Sequence, residues 1–158
     1  MVKEPRPGKV KTRLGNDIGM VNAAWWYRHQ SLSILRSVIN PKWNTVIAVT
    51  PDIEGRRSRV WPRELKRISQ GMSDLGERML KILDSFRFSP ICIIGSDIPD
   101  VSSKNIERAF KLLMNKDFVL GPTLDGGFWL FGARKTRTIS RKTFKKVRWS
   151  SIHAYDDT

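Results

Sequence analysis

Apolar residues along this chain recur at helical spacings in three regions. Spacings of three, four and seven predict a helix over residues 17–39, ended by Asn40 and Pro41. Similar faces predict helices over residues 74–86, with Asp74 as the cap, and over residues 102–114. The expected apolar stripe of the first helix consists of Val21, Ala24, Trp25, Leu32, Leu35 and Ile39.

Short apolar and β-branched runs predict strands between these helices. They lie at residues 44–50, 66–70, 90–94, 117–120 and 127–131. The run at 90–94 holds no polar residue except Cys92, which predicts a strand at the centre of the sheet. Residues 51–62 are rich in arginine and proline and are predicted to form a loop. Strands that alternate with helices predict an α/β layered sheet with parallel strands.

Composition narrows the class of protein. The 158 residues predict one domain with its own core, and six tryptophans argue against disorder. The single cysteine, Cys92, cannot form an intrachain disulfide, so we expect a cytoplasmic protein with a buried, unreactive thiol. No signal peptide or membrane-spanning stretch is predicted.

The net charge of +14 indicates an anionic partner. Nucleic acid, a nucleotide diphosphate and an acidic membrane surface all fit. Residues 134–148 concentrate this charge and contain no acid, which is typical either of a solvated face or of nonspecific nucleic-acid contact. The cations of this basic segment are Arg134, Lys135, Arg137, Arg141, Lys142, Lys145, Lys146 and Arg148.

A second basic run, residues 3–14, carries five cations around two prolines and Gly8. The prolines stiffen the backbone and the glycine allows close approach of a ligand, which suits a diphosphate. The alternative is a solvated tail.

Two acidic motifs follow predicted strands. Asp97 stands three residues beyond the strand at 90–94, in a bend where its carboxylate could bind a divalent metal. The alternative is a turn or a helix cap, for which Asp100 is the better candidate. Asp125 begins an Asp-Gly-Gly sequence that indicates either a plain hairpin turn or a carboxylate facing the same cleft as Asp97. The sequence has no His/Cys cluster, which argues against zinc.

Four blocks, at residues 3–14, 70–79, 95–99 and 120–130, follow each other in an order that resembles the DUF2064 family. The third reads Gly-Ser-Asp-Ile-Pro and the fourth contains Leu-Asp-Gly-Gly. The family is a group of GT-A-like glycosyltransferases related to nucleotidyltransferases such as the molybdenum-cofactor guanylyltransferases. The resemblance implies a three-layer, Rossmann-like nucleotide-diphospho-sugar transferase fold with a mixed, mostly parallel sheet, formed as one domain by residues 1–158.

The resemblance also implies a site. Asp97 would hold Mg²⁺ or Mn²⁺. The basic loop would bind the diphosphate through Lys3, Gly8, Lys11 and Arg13. The second block would line the nucleoside pocket through Gln70, Asp74 and Gly76. The fourth block would border the acceptor or sugar through Asp125, Gly126 and Gly127, with Asp125 orienting or deprotonating the acceptor hydroxyl.

The expected reaction is metal-dependent transfer of a sugar from a nucleotide diphosphate sugar to a small-molecule acceptor. Two alternatives stay open. One is nucleotidyl transfer from a nucleoside triphosphate to a phosphorylated acceptor. The other is a catalytically inactive basic module that binds nucleic acid.

The chain departs from the family at both ends. Members usually have a full hydrophobic strand before the basic loop and a further helix and strand at the end, whereas only Met1 and Val2 precede Lys3 here. We therefore expect a chain that is short at both ends and lacks the first strand. Unpaired sheet edges would then lower stability or favour homo-oligomers.

Overall fold

The computed structural model of the protein describes residues 1–136, 139–140, 142–149 and 151–158. These residues form two compact units. The first contains Met1–Gly71 and Ser96–Ser103, and the second contains Met72–Gly95 and Lys104–Thr158. That all 158 residues make up one domain in three layers stays a prediction.

The first unit has a parallel three-stranded sheet. Its strands are β1 (Val2–Lys3), β2 (Val46–Thr50) and β3 (Lys66–Ser69), in the order β1-β2-β3. The expectation that the first strand is missing is corrected, because Val2 and Lys3 pair with β2 in parallel register. Buried apolar side chains hold this sheet together through Val2, Ile47, Val49 and Trp61.

Three helices belong to the first unit: α1 (Thr12–Ile18), α2 (Met20–Val38) and α3 (Asp52–Arg57). The prediction of one helix over residues 17–39 is wrong, since Gly19 adopts φ 88° and ψ 145° and separates α1 from α2. The segment predicted as a loop, residues 51–62, contains α3. The Arg67 guanidinium, from β3, donates to the main-chain carbonyls of Ser58 (2.7 Å), Trp61 (2.6 Å) and Arg56 (3.0 Å).

The buried face of α2 differs from the predicted stripe. It consists of Ala23, Ala24, Tyr27, Ser31, Ile34 and Val38. Of the predicted stripe, Ala24 is buried, and Leu32 and Leu35 are partly buried against the core cluster of the first sheet. Val21 and Trp25 are exposed, Trp25 by 62%. Apolar residues occur on both sides of this helix, so periodicity alone admitted two faces.

The second unit has an antiparallel sheet. Its strands are β4 (Ile91–Ile94), β5 (Phe118–Pro122) and β6 (Phe128–Ala133), in the order β4-β6-β5. The prediction that β4 is central is wrong within this sheet, because β6 lies in the middle and β4 pairs only with it among the described residues. The predicted parallel strands are therefore those of the first sheet. The few residues between β5 and β6 allow only antiparallel pairing.

Two amphipathic helices, α4 (Leu75–Asp84) and α5 (Ser103–Leu113), form where helices were predicted. Of the apolar face expected for α4, Met79, Ile82 and Leu83 are buried, whereas Leu75 is 42% exposed. The Asp74 carboxylate accepts the Glu77 N–H at 2.9 Å, which confirms the predicted cap of α4. Cys92 is half-buried, less than expected, and this burial raises the pKa of its thiol to about 12. None of the helices in the described parts of the chain combines the length and apolar character needed to cross a bilayer.

Candidate functional site

The basic run begins as a structured loop that connects β1 to α1. Pro5 and Pro7 lack N–H groups, and Gly8 (φ 72°) and Lys11 (φ 48°) adopt left-handed backbone conformations. This combination excludes a continuous helix or strand through residues 4–11. Arg13 lies beyond the loop, exposed in the first turn of α1, and Lys3 is exposed on β1.

The loop is anchored in the core of the first unit by Val10. This side chain is buried and packs in a cluster with Ala24 and Tyr27 of α2, with Trp26 against it. The neighbours of Val10 in the sequence are Lys9 and Lys11. Burial of Val10 therefore fixes where the adjacent cations lie, and the solvated-tail interpretation does not describe this segment.

Lys11 forms an ion pair with Asp97, which is 86 residues away in the sequence. The Lys11 ammonium group contacts Asp97 Oδ2 and lies 5.3 Å from the centre of the Trp26 ring. The side chain of Asp97 is 53% exposed and that of Lys11 is 26% exposed. The two residues that the sequence predicted to share a ligand are thus in contact, and the carboxylate is open to solvent.

Tyr27 connects the Asp97 segment to β1, a link that the sequence analysis missed. Its hydroxyl accepts the Lys3 backbone N–H at 2.9 Å and shares a hydrogen bond with the Ser96 hydroxyl at 2.8 Å. The Glu4 N–H bonds to Thr50 of β2, so the Lys3 N–H one residue earlier faces the other edge of β1. The available signal was a tyrosine among the apolar residues of α2, because a buried tyrosine hydroxyl needs a partner.

The side chains near Asp97 indicate whether a divalent metal could bind there. Among residues 1–136 and the shorter described ranges after them, no three His, Cys, Asp or Glu side chains lie together as a metal cage. Mg²⁺ and Mn²⁺ are commonly held by one or two carboxylates with substrate phosphates as further ligands. One half-exposed carboxylate beside a basic loop fits that pattern.

Gln70, predicted to line the nucleoside pocket, is buried in the first unit. Its side-chain amide nitrogen donates to the carbonyls of Val2 (2.9 Å) and Ala48 (2.7 Å), and so ties β1 to β2. These bonds occupy both protons of the amide group. A contact with a nucleoside stays a prediction, and it would have to use the Gln70 side-chain oxygen.

Asp74 and Gly76 belong to the second unit and have clear structural roles there. Asp74 caps α4. A Cβ on Gly76 would lie 2.8 Å from Phe144 Cβ and 3.0 Å from the Trp149 ring, so the close packing of these aromatic residues requires a glycine. Whether either residue also contacts a nucleoside stays a prediction.

The Asp125 turn is a hairpin connection between β5 and β6. Asp125 Oδ1 accepts the Thr123 hydroxyl and the Gly127 N–H, and Gly126 adopts φ 79°. The hydrogen bond from Thr123, followed by that from Gly127, lowers the pKa of Asp125. A carboxylate with a lowered pKa is a weaker base, which favours the orienting role over the deprotonating one.

Gly126 is enclosed by the C-terminal segment. A Cβ at this position would lie 2.0 Å from the Ile152 carbonyl oxygen, and the Gly126 carbonyl accepts the Tyr155 N–H at 2.9 Å. Asp125 and Asp97 belong to different units, so a shared cleft stays a prediction.

The basic segment at residues 134–148 is partly paired within the chain. Arg134 binds Asp117 at 2.6 Å, and Arg148 donates to Asp157 from both its backbone and its guanidinium group. Arg137 and Arg141 lie outside the described residues. Contact with nucleic acid stays a prediction.

The chain belongs to the DUF2064 family, described as an uncharacterized protein conserved in bacteria, whose model matches residues 34–151. The fold is also similar to a crystal structure of a protein from Desulfovibrio desulfuricans G20, with a TM-score of 0.88 and 31% sequence identity. That similarity covers 99% of this chain and 70% of the other, and the other protein is described as a proposed nucleotide-diphospho-sugar transferase. No curated protein matches the sequence. The family resemblance read from the four sequence blocks is thereby confirmed.

Proposed function

We propose that this protein is a glycosyltransferase that takes a sugar from a nucleotide diphosphate donor with the help of Mg²⁺ or Mn²⁺. The description of the protein from Desulfovibrio desulfuricans G20 and the extent of its similarity support this class of reaction. The observation that carries the proposal is the contact between Lys11 of the basic loop and Asp97, residues 86 positions apart.

The ion pair gives a charge-exchange mechanism for donor binding. In the free protein the Lys11 ammonium group neutralises Asp97. A donor brings negative phosphates, and Lys11 turns to them with Arg13 and Lys3 as further cations, while Gly8 lets the backbone approach. Asp97 is then available to hold the ion, which supplies positive charge to the leaving diphosphate when bound.

The acceptor side is assigned to the Asp125 turn. Asp125 is ionised at neutral pH, and its lowered pKa makes it a weak base, so it accepts a hydrogen bond from an acceptor hydroxyl and orients the oxygen. The backbone of Gly126 and Gly127 borders the same position. The acceptor is a small molecule with a free hydroxyl group.

The test compares Asp97→Asn with Asp100→Asn, a matched change of an exposed carboxylate three residues farther along the same segment. Calorimetry with UDP, GDP, CDP and ADP, each with and without Mn²⁺, measures affinity. We expect metal to strengthen binding of at least one diphosphate to the wild type and to the Asp100 variant. Asp97→Asn should lose this gain, and turnover should fall about 10²-fold or more.

Equal metal dependence in the wild type and the Asp97→Asn variant would remove Asp97 from the metal site.

The product that is released identifies the type of reaction. Release of a nucleoside diphosphate supports glycosyl transfer, whereas release of pyrophosphate from a nucleoside triphosphate would replace it with nucleotidyl transfer.

A further inference from the structure

The contacts of Tyr27 point to a positioning residue behind the candidate metal ligand. We propose that Tyr27 fixes Ser96, and through it the neighbouring Asp97, for binding of a divalent ion with a diphosphate. The inference rests on the proposed function and names a residue of α2 that lies outside all four sequence blocks.

The Tyr27 hydroxyl bonds to two groups of the first unit. Its oxygen accepts the Lys3 N–H at 2.9 Å and lies 2.8 Å from the Ser96 hydroxyl oxygen, and either of these two hydroxyls can be the donor. Tyr27 is 5% exposed and packs with Val10 and Ala24, so its hydroxyl has little freedom to move.

The segment that carries Asp97 is attached to α2 at two places. Ser96 bonds to Tyr27, and the Ser37 hydroxyl lies 2.8 Å from the carbonyl of Val101 and equally close to that of Ile34 in its own helix, so the two carbonyls share its one proton. Tyr27 and Ser37 lie ten positions apart on the same helix, so the segment is held along the length of α2. Asp97 follows its Tyr27-bound neighbour directly, and the rotation of its backbone is restricted by that bond.

The other member of the ion pair is also held by α2. Lys11 lies against the ring of Trp26, the residue next to Tyr27. Consecutive residues of one helix thus contact the cation and the residue that precedes the carboxylate. Such preorganisation lowers the entropy lost when a ligand orders the site. Loss of the Tyr27 hydroxyl should therefore weaken binding that depends on Asp97 and leave binding by Lys11 unchanged.

The first experiment is a double-mutant cycle with Tyr27→Phe and Ser96→Ala. Titration with UDP, GDP, CDP and ADP measures affinity with and without Mn²⁺. We expect Tyr27→Phe to weaken Mn²⁺-dependent binding about tenfold and metal-free binding less than about twofold. Ser96→Ala should have a similar effect, and the double variant should be no worse than either single one.

Additive effects, or equal losses with and without Mn²⁺, would overturn the positioning role. A wild type that binds none of the diphosphates with metal would overturn the proposed function and this inference together. A wild type that binds normally, with a Tyr27→Phe variant that matches it, would overturn the inference alone. Thermal melting checks folding, and Ser96→Ala carries the test if Tyr27→Phe does not fold.

The second experiment needs no ligand. The chain has two tyrosines, so ¹³Cζ-tyrosine labelling gives two NMR signals, and Tyr155 is the internal reference. Ser96→Ala should shift the Tyr27 signal and leave that of Tyr155 unchanged. An unshifted Tyr27 signal would show that the hydrogen bond is absent in solution and would overturn the inference, whatever the protein binds.

Discussion

The two acidic turns of this protein use their aspartates in opposite ways. Asp125 accepts hydrogen bonds from residues two positions before and after it, Thr123 and Gly127. Asp97 is held by one lysine from 86 residues away and remains half-exposed. Asp125 commits its Oδ1 atom to its own turn, whereas Asp97 is balanced by one lysine, whose charge the phosphates of a ligand can draw away.

One glycine from each of the two regions differs in how much space surrounds it. Gly8 in the basic loop and Gly126 in the hairpin have similar left-handed φ angles of 72° and 79°. A Cβ on Gly8 would meet no atom within 4 Å, while one on Gly126 would overlap the Ile152 carbonyl. The basic loop therefore has space for a side chain at Gly8, whereas the hairpin turn has none at Gly126.

Replacing each of these two glycines with alanine should give the largest difference in the free energy of unfolding between the two regions. Gly126→Ala combines backbone strain with a clash against main chain, and we expect it to lower the free energy of unfolding by ~2–4 kcal/mol. Gly8→Ala has only the backbone strain, at about 1 kcal/mol. Urea unfolding of both variants measures the difference. Equal losses would mean that the C-terminal segment does not enclose the hairpin in solution.

Removing the cation of the ion pair should change binding more than stability. Lys11→Gln is expected to reduce metal-free affinity for a nucleoside diphosphate about tenfold, because one charge-assisted contact is lost. Its effect on the free energy of unfolding should stay below about 1 kcal/mol, since the pair is exposed. Lys9→Gln, in the same loop, is the matched control for both measurements. Identical affinities in the two variants would exclude a specific role for Lys11.

The smallest expected effect concerns the titration of Asp125. Its pKa is lowered from 3.8, so the ionised turn contributes stability above that pH and loses it as the pH falls through the lower, folded pKa. Thr123→Val removes the largest cause and should move the pKa of Asp125 upward. Carboxyl ¹³C NMR measures both titrations. An unchanged pKa in the variant would show that the turn is not closed by Thr123.

Local sequence signals predicted local structure well. The cap at Asp74 and the buried Met79, Ile82 and Leu83 of α4 follow from residues within a few positions of each other. The convergence of Lys11 and Asp97 was predicted from the rule that ligands bind beyond strand ends and from the resemblance of the motif blocks.

The remaining features depend on partners distant in the chain. The buried face of α2 is set by what packs against that helix, and its prediction held only in part. The middle position of β6 is decided by strand pairing, which the composition of β4 does not encode. Tyr27 was missed because its two partners, Lys3 and Ser96, come from opposite sides of the sequence.

Arg67 shows that a cation of this chain can serve its own backbone. Its guanidinium group is directed at the carbonyl oxygens of Arg56, Ser58 and Trp61, so its cationic head faces main-chain dipoles. A planar fork with five donors suits this role, and lysine would not replace it. The charge of Arg67 still adds to the net charge of +14 that attracts anions from a distance. Its terminal nitrogens donate to the main chain, however, so the position of each of the 29 basic residues decides whether it can also bind a phosphate directly.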